Sequence, residues 1–201
     1  MSTAALQSRS TGVSAARTSV SVPASAVSPA PAQSEKPTAE LSASFKQAMR
    51  HLAGGVALVS TTYEGSRHGL TVTAVSSLTM DPPALLVSVN RNASAFDALI
   101  KSGHFCVNLL THAQVDLAAA FARKPDGEAR FANGTWRVGA SGLPVLEECV
   151  VSIACRMHDM VEYGTHAILI GAVEHLEIAT EPVSPLLYLN GKFGSFGPFS
   201  A

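Results

Sequence analysis

GLTVTAVSSLTMDPPALLVSVNR, residues 69–91, is the stretch whose reading decides the fold. Taken with a period of two, its first half sets Thr71, Thr73, Ser77 and Thr79 on one face and Leu70, Val72, Ala74, Leu78 and Met80 on the other. That alternation predicts a half-buried strand carrying a row of hydroxyls. Asp81-Pro82-Pro83 then stops it, because proline fixes φ and donates no ladder hydrogen bond. Residues 84–90 are apolar almost to their end, which predicts a second strand covered on both faces. A polar cluster of Ser88, Asn90, Arg91, Asn92 and Ser94 closes the stretch. The pattern alone leaves two roles open for the hydroxyl row, facing solvent or lining a binding groove.

Working outward toward the N-terminus, Tyr63-Glu64-Gly65-Ser66 reads as a hairpin turn and residues 55–62 as the strand before it. Further back, Leu41, Phe45, Ala48, Met49 and Leu52 recur at helical spacing, predicting a helix from about Glu40 that ends at Gly54-Gly55. On the other side, Ser94 is placed to cap a short helix, with Asp97 three residues on and Gly103 just past its end. Residues 104–110 form the next strand, and Thr111-His112-Ala113-Gln114 is a capping box opening a helix to about Arg123. Lys124-Pro125-Asp126-Gly127 breaks that helix, and a turn-rich segment to Gly142 holds the single tryptophan, Trp136. Strands follow over 149–157 and 166–178, joined around Tyr163-Gly164-Thr165, with a terminal segment over 187–193. Many strands, few helices and no βαβ rhythm predict a mainly β, antiparallel barrel.

The 201 residues divide into an Ala/Ser/Pro-rich stretch, 1–39, and a single domain, 40–201. The first stretch lacks aromatics and any sustained hydrophobic period, so it is expected to be a disordered tail. A hydrophobic content of 47% with mean hydropathy +0.24 is ample for a core. Charged residues are only 14%, below the roughly 25% usual in soluble domains, so a partner copy is expected to cover part of the surface in a homo-oligomer. A net charge of -1 gives no footprint for nucleic acid or for an anionic membrane, and no stretch is long and apolar enough to span one. Cys106, Cys149 and Cys155 make no CxxC pair and sit in apolar strand-like runs, which predicts buried reduced thiols and a cytoplasmic setting.

Taken in order, residues 45–62, 69–91, 105–110, 163–173 and 187–193 resemble the short-chain flavin reductase family, the NAD(P)H-dependent partners of two-component flavin monooxygenases. The resemblance implies a split β-barrel binding FMN or FAD, with NADH or NADPH as electron donor and a separate monooxygenase receiving reduced flavin. It sets Thr71, Val72, Thr73, Ala74, Ser76 and Ser77 along the flavin ring and ribityl chain, and Ser88, Val89, Asn90 and Ser94 toward the phosphate. Gly164-Thr165-His166 is similar to the family's Gly-Asp-His, whose histidine lies beside the nicotinamide, so His166 is the expected catalytic residue; here Thr165 stands in place of the acid. Tyr188-x-x-Gly191-x-Phe193 resembles the family's C-terminal aromatic-glycine pattern flanking the flavin and dinucleotide site.

Other chemistries find less support. No GxGxxG follows a strand, so no Rossmann half is expected for the dinucleotide, and no GxSxG elbow supports a serine hydrolase. The histidines show no pair at helical spacing, so no metal site is expected. A flavin-binding protein of another kind, a sensor, carrier or oxidase, would use the same hydroxyl-rich strand.

Overall fold

The computed structural model describes residues 38–123 and 127–197, so the expected tail and Lys124-Pro125-Asp126 lie outside the described residues apart from Thr38 and Ala39. The described residues open with α1 (Ala39–Met49), then β1 (Gly54–Gly55), β2 (Ala57–Tyr63), β3 (Ser66–Val72), β4 (Val75–Met80) and β5 (Pro83–Asn90). Helix α2 (Phe96–Ser102), β6 (His104–Leu109) and α3 (Val115–Ala122) follow, then the short strands β7 (Trp136–Val138) and β8 (Pro144–Leu146). The long hairpin β9 (Val151–Tyr163) and β10 (His166–Ile178) precedes β11 (Leu186–Leu189) and β12 (Lys192–Ser195).

The stretch expected to be one strand is two. β3 pairs with β2 and β4 with β5, and the antiparallel seven-stranded sheet runs β3-β2-β6-β9-β10-β5-β4. β3 and β4 are therefore opposite edges of that sheet, joined only by Thr73 and Ala74. From Val72 to Val75 an extended chain reaches at most about 11 Å. The sheet must curl until its edges nearly meet, although no ladder joins β3 to β4. This break also separates Thr71 from Ser77 and Thr79, which the alternation had set on one strand face.

β2 is the element buried on both sides. Ala57 and Val59 join Val72, Leu85, Val87, Val89, Phe105 and Leu169 inside the curled sheet, closed by Phe96 and Leu99 of α2. Val56 and Leu58 face the other way, against Leu117 and Phe121 of α3 and against Phe131 and Leu186. β5, expected to be covered on both faces, instead buries only Leu85, Val87 and Val89; Leu86 and Ser88 remain half-open on its other face.

Local signals account for several ends. Glu64 and Gly65, both at positive φ, turn β2 into β3 in register Tyr63↔Ser66. The Thr111–Gln114 capping box forms as expected and opens a short 3₁₀ turn ahead of α3. α1 stops at Arg50 rather than at the glycines, which pair with β11 as β1. Ser94 does not cap α2: the cap position is Ala95, without a side-chain bond, because the Ser94 hydroxyl is held by Arg130. Gly103 ends α2 in the left-handed conformation as expected. The terminal segment is a hairpin, turned by Asn190 and Gly191 at positive φ. No helix among the described residues is long and apolar enough to cross a membrane.

Candidate functional site

The Thr73-Ala74 link, where the sheet edges approach, is flanked by two cavities that both reach Thr73. The larger, about 610 Å³, has Gly54, Gly55, Ala74, Ser76 and Ser88 around it and Leu52, Leu86 and Ile168 as apolar walls. The second, about 390 Å³, is lined by Thr71, Val72, Ala119, Arg123, Tyr188 and Phe193. Both volumes lie in the range of small-molecule sites.

The larger cavity joins a polar edge to apolar walls. At Gly54 a Cβ would meet Thr73 Cβ at 3.2 Å, so glycine lets β1 lie close against the link; at Gly55 a Cβ would meet nothing within 4 Å. Thr73, Ser76 and Ser88 line it beside those apolar walls, with the Ser76 hydroxyl donating to Ser77 O at 3.2 Å. The Ser88 amide donates to Ala74 O at 3.0 Å, which ties the link to β5.

Strand register extends this surface. Ser76 pairs with Leu86, Ser88 with Ile168 and Asn90 with His166, so side chains alternating along β5 and β10 share one sheet face from the cavity to the sheet's end. His166 is exposed at the start of β10, and its Nδ1 lies 2.9 Å from Thr165 Oγ1. Asn90 Oδ1 accepts from the Asn92 amide at 2.9 Å. Tyr188 and Phe193 stack edge to face, centroids 5.3 Å apart, on the wall of the second cavity.

Not every expected residue presents its side chain here. Thr71 donates its hydroxyl to Ala118 O at 2.8 Å, anchoring α3. Val89 is 1% exposed and its side chain lies in the core, leaving only its backbone for any ligand. Val72 is likewise a core residue that touches the second cavity from below. Ser77 is exposed on the edge strand, outside both cavities. Ser94 accepts from Arg130 Nη2 at 3.0 Å.

Several neighbours escaped the sequence reading. Arg130, buried, also donates to Gly69 O at 2.6 Å and so fixes β3 relative to the loop before α2. Nothing local marks it, since it sits in an irregular segment. Arg50 donates from Nε to Asn190 Oδ1 at 3.2 Å, and with Lys46 and His51 it borders a further polar cavity beside the terminal hairpin. Arg123 stands at the second cavity.

The three cysteines are free and buried, as their apolar runs predicted. Burial pushes the thiols of Cys106 and Cys155 up to about 12 and that of Cys149 to about 11, so they are neutral and unreactive. Among the described residues no group of His, Cys, Asp and Glu is arranged to hold a metal.

A family model described as a flavin reductase like domain matches residues 49–197. An FMN reductase (NADH) RutF of Pseudomonas syringae is 45% identical over 125 residues, 62% of this chain and 70% of the relative. The reductase component of an FADH(2)-dependent resorcinol hydroxylase of a Rhizobium species is 36% identical, over 77% of this chain and 87% of its own. A crystal structure of a flavin reductase domain protein from an Arthrobacter species is 27% identical and superposes with a TM-score of 0.74, over 80% of this chain and 98% of that one. The matched residues run from the end of α1 to just beyond β12 and contain both cavities, the Thr73-Ala74 link and the His166 turn: the chain belongs to the flavin reductase like family.

Proposed function

We propose that this protein is an NAD(P)H-dependent flavin reductase that holds FMN or FAD at the Thr73-Ala74 link and supplies reduced flavin to a partner monooxygenase. The observation that carries the reading is the continuous face running from Thr73 and Ser76 through Leu86 and Ser88 to Asn90 and His166. A flavin held there would supply the acceptor for a hydride from the nicotinamide of NADH or NADPH and would be released reduced. Thr73, Ser76 and Ser88 hydrogen-bond the polar edge of the ring, and Leu52, Leu86 and Ile168 exclude water from its flanks. Asn90 and Ser94 lie toward the phosphate, while His166, Tyr188 and Phe193 hold the dinucleotide. No proton leaves carbon in a hydride transfer, so His166 acts by orientation and not as a base.

The same reading gives a split barrel, closed on one side by the Thr73-Ala74 link, working as a homodimer in the cytoplasm. α1 supports the dimer: it buries no residue, and Leu41, Phe45 and Met49, with Leu52 beyond its end, stand exposed, Met49 and Leu52 at the rim of the larger cavity.

Anaerobic mixing of NADH, FMN and catalytic amounts of the protein tests the function. Many equivalents of flavin bleached per protein, with matching loss of NADH, is the expected result. Tight flavin binding without NADH oxidation would replace the reductase by a sensor or carrier, and oxygen uptake driven by a small substrate without nicotinamide would make it an oxidase.

A further inference from the structure

The turn between β9 and β10 holds His166 more closely than its exposure suggests. Gly164 adopts a φ of +57°, and the Thr165 carbonyl accepts from the Arg91 amide at 3.0 Å, which pins the tip of the hairpin to the end of β5. With the backbone fixed at both residues, Thr165 Oγ1 sits 2.9 Å from His166 Nδ1. The groups around the imidazole are Asn90 and Tyr163, opposite it in register, and the Arg91–Glu162 ion pair at 3.2 Å on the neighbouring strand ends. That carboxylate is engaged by the guanidinium, and no ion pair to His166 exists among the described residues.

We propose that Thr165 is a positioning residue: its hydroxyl donates to His166 Nδ1 and holds the neutral ring in the tautomer whose Nε2 carries the proton. A carboxylate at this position can only accept, so it would draw the proton to Nδ1 and leave Nε2 bare whenever the ring is neutral. A hydroxyl donates readily to a ring nitrogen, and the Nε2–H form is also the intrinsically favoured one for an alkyl imidazole. With threonine, Nε2 offers an N–H both when the ring is charged and when it is neutral. The donor facing a dinucleotide carboxamide or phosphate therefore survives loss of the ring's charge. This functional half rests on the reductase reading above; the tautomer itself does not.

Long-range ¹H–¹⁵N correlation spectra of the ligand-free, ¹⁵N-labelled full chain decide the geometry. At a pH where the ring is neutral, Nε2 should give a proton-bearing, pyrrole-like shift and Nδ1 a pyridine-like one. Thr165→Ser should keep that pattern, Thr165→Val should relax it to the ring's intrinsic mixture, in which Nε2–H leads but a measurable Nδ1–H share appears, and Thr165→Asp should invert it. A wild-type protein with the proton on Nδ1 overturns the proposal. In steady-state kinetics the wild-type KM for NADH should stay flat as the ring loses its charge. In Thr165→Asp it should rise between about twofold and tenfold over the same range, the worth of one hydrogen bond, with kcat less affected. A flat profile in Thr165→Asp, despite an inverted tautomer, removes the functional half. Absence of any NADH turnover in the wild type sinks the reductase reading instead, while the spectra still decide the tautomer.

Discussion

Thr71 and Thr73 are two residues apart and look alike in sequence, yet the structure gives their hydroxyls different work. Thr71 donates to Ala118 O, while the Thr73 hydroxyl makes no hydrogen bond among the described residues and Thr73 borders both cavities. Thr73→Val keeps the β-branched shape and removes the hydroxyl, so flavin affinity measured by fluorescence titration should fall by about 0.5–1.5 kcal/mol with the melting temperature little changed. Thr71→Val should do the reverse, lowering the melting temperature and sparing affinity. Equal flavin affinity in wild type and Thr73→Val would show that this hydroxyl meets only water. Gly171 is a residue whose necessity lies in packing alone. A Cβ there would meet Phe105 Cζ at 2.6 Å and Cys155 Cβ at 2.9 Å, between rigid core atoms. Gly171→Ala should destabilise the protein by about 1–3 kcal/mol, read as an earlier urea midpoint. An unchanged midpoint would mean that the core around Phe105 yields freely.

At the level of elements, β10 was read with its observed bounds, because His166 to Ile178 alternates between turn signals at both ends. The Tyr63–Ser66 turn and the Thr111–Gln114 capping box were equally legible, since each is set by contacts within a few residues. The break at Thr73-Ala74 was not. It is imposed by pairing partners at opposite edges of the sheet, β2 for β3 and β5 for β4; no proline or glycine marks it, and the alternation, inverted only at Val75 and Ser76, resumes from Ser77. Ser94 was misread for the same reason: the competitor for its hydroxyl, Arg130, comes from 36 residues away. Of the candidate site, the hydroxyl row was legible in the period-two pattern and His166 is singled out only by the resemblance, while Arg50, Arg123 and Arg130 depend on chain packing that no local pattern encodes. The β9–β10 hairpin carries its own prediction. His166→Ala should raise the KM for NADH and slow flavin reduction by roughly tenfold, equivalent to about 1.4 kcal/mol, with flavin affinity nearly unchanged. Stopped-flow reduction at the wild-type rate and NADH dependence would take His166 out of the site. Helix α1 carries another: with Phe45 65% exposed on a helix that buries nothing, Phe45→Asp should shift the sedimenting mass from twice 20.8 kDa toward the single chain. A wild type that sediments as one chain would refute the dimer outright.

Across the whole molecule, the three thiols link the fold to pH. Cys106 on β6 and Cys155 on β9 pair with neighbouring residues across adjacent strands, and Cys149 lies just before β9. Each is buried, and burial is the largest cause raising its thiol, to about 12, about 12 and about 11, from an ordinary value of 9.0. The folded protein thus binds thiol protons more tightly than the unfolded chain does. A group whose folded value lies above its unfolded one contributes its full stability below the unfolded value and loses it as pH rises toward the folded value. Stability should accordingly hold level from pH 7 to about 9 on this account and fall steadily between 9 and 12, as unfolded thiols ionise and folded ones cannot. Urea midpoints at half-unit steps measure the slope, and Cys106→Ala should flatten it while adding its own constant packing loss at every pH. A thiol-specific chromogenic reagent gives the companion reading at pH 8: near-silence in the native protein, and all three cysteines reporting once urea unfolds it. Rapid labelling of the native protein, or an alkaline slope identical in wild type and Cys106→Ala, would show that these thiols reach solvent through openings of the sheet far below the energy of global unfolding.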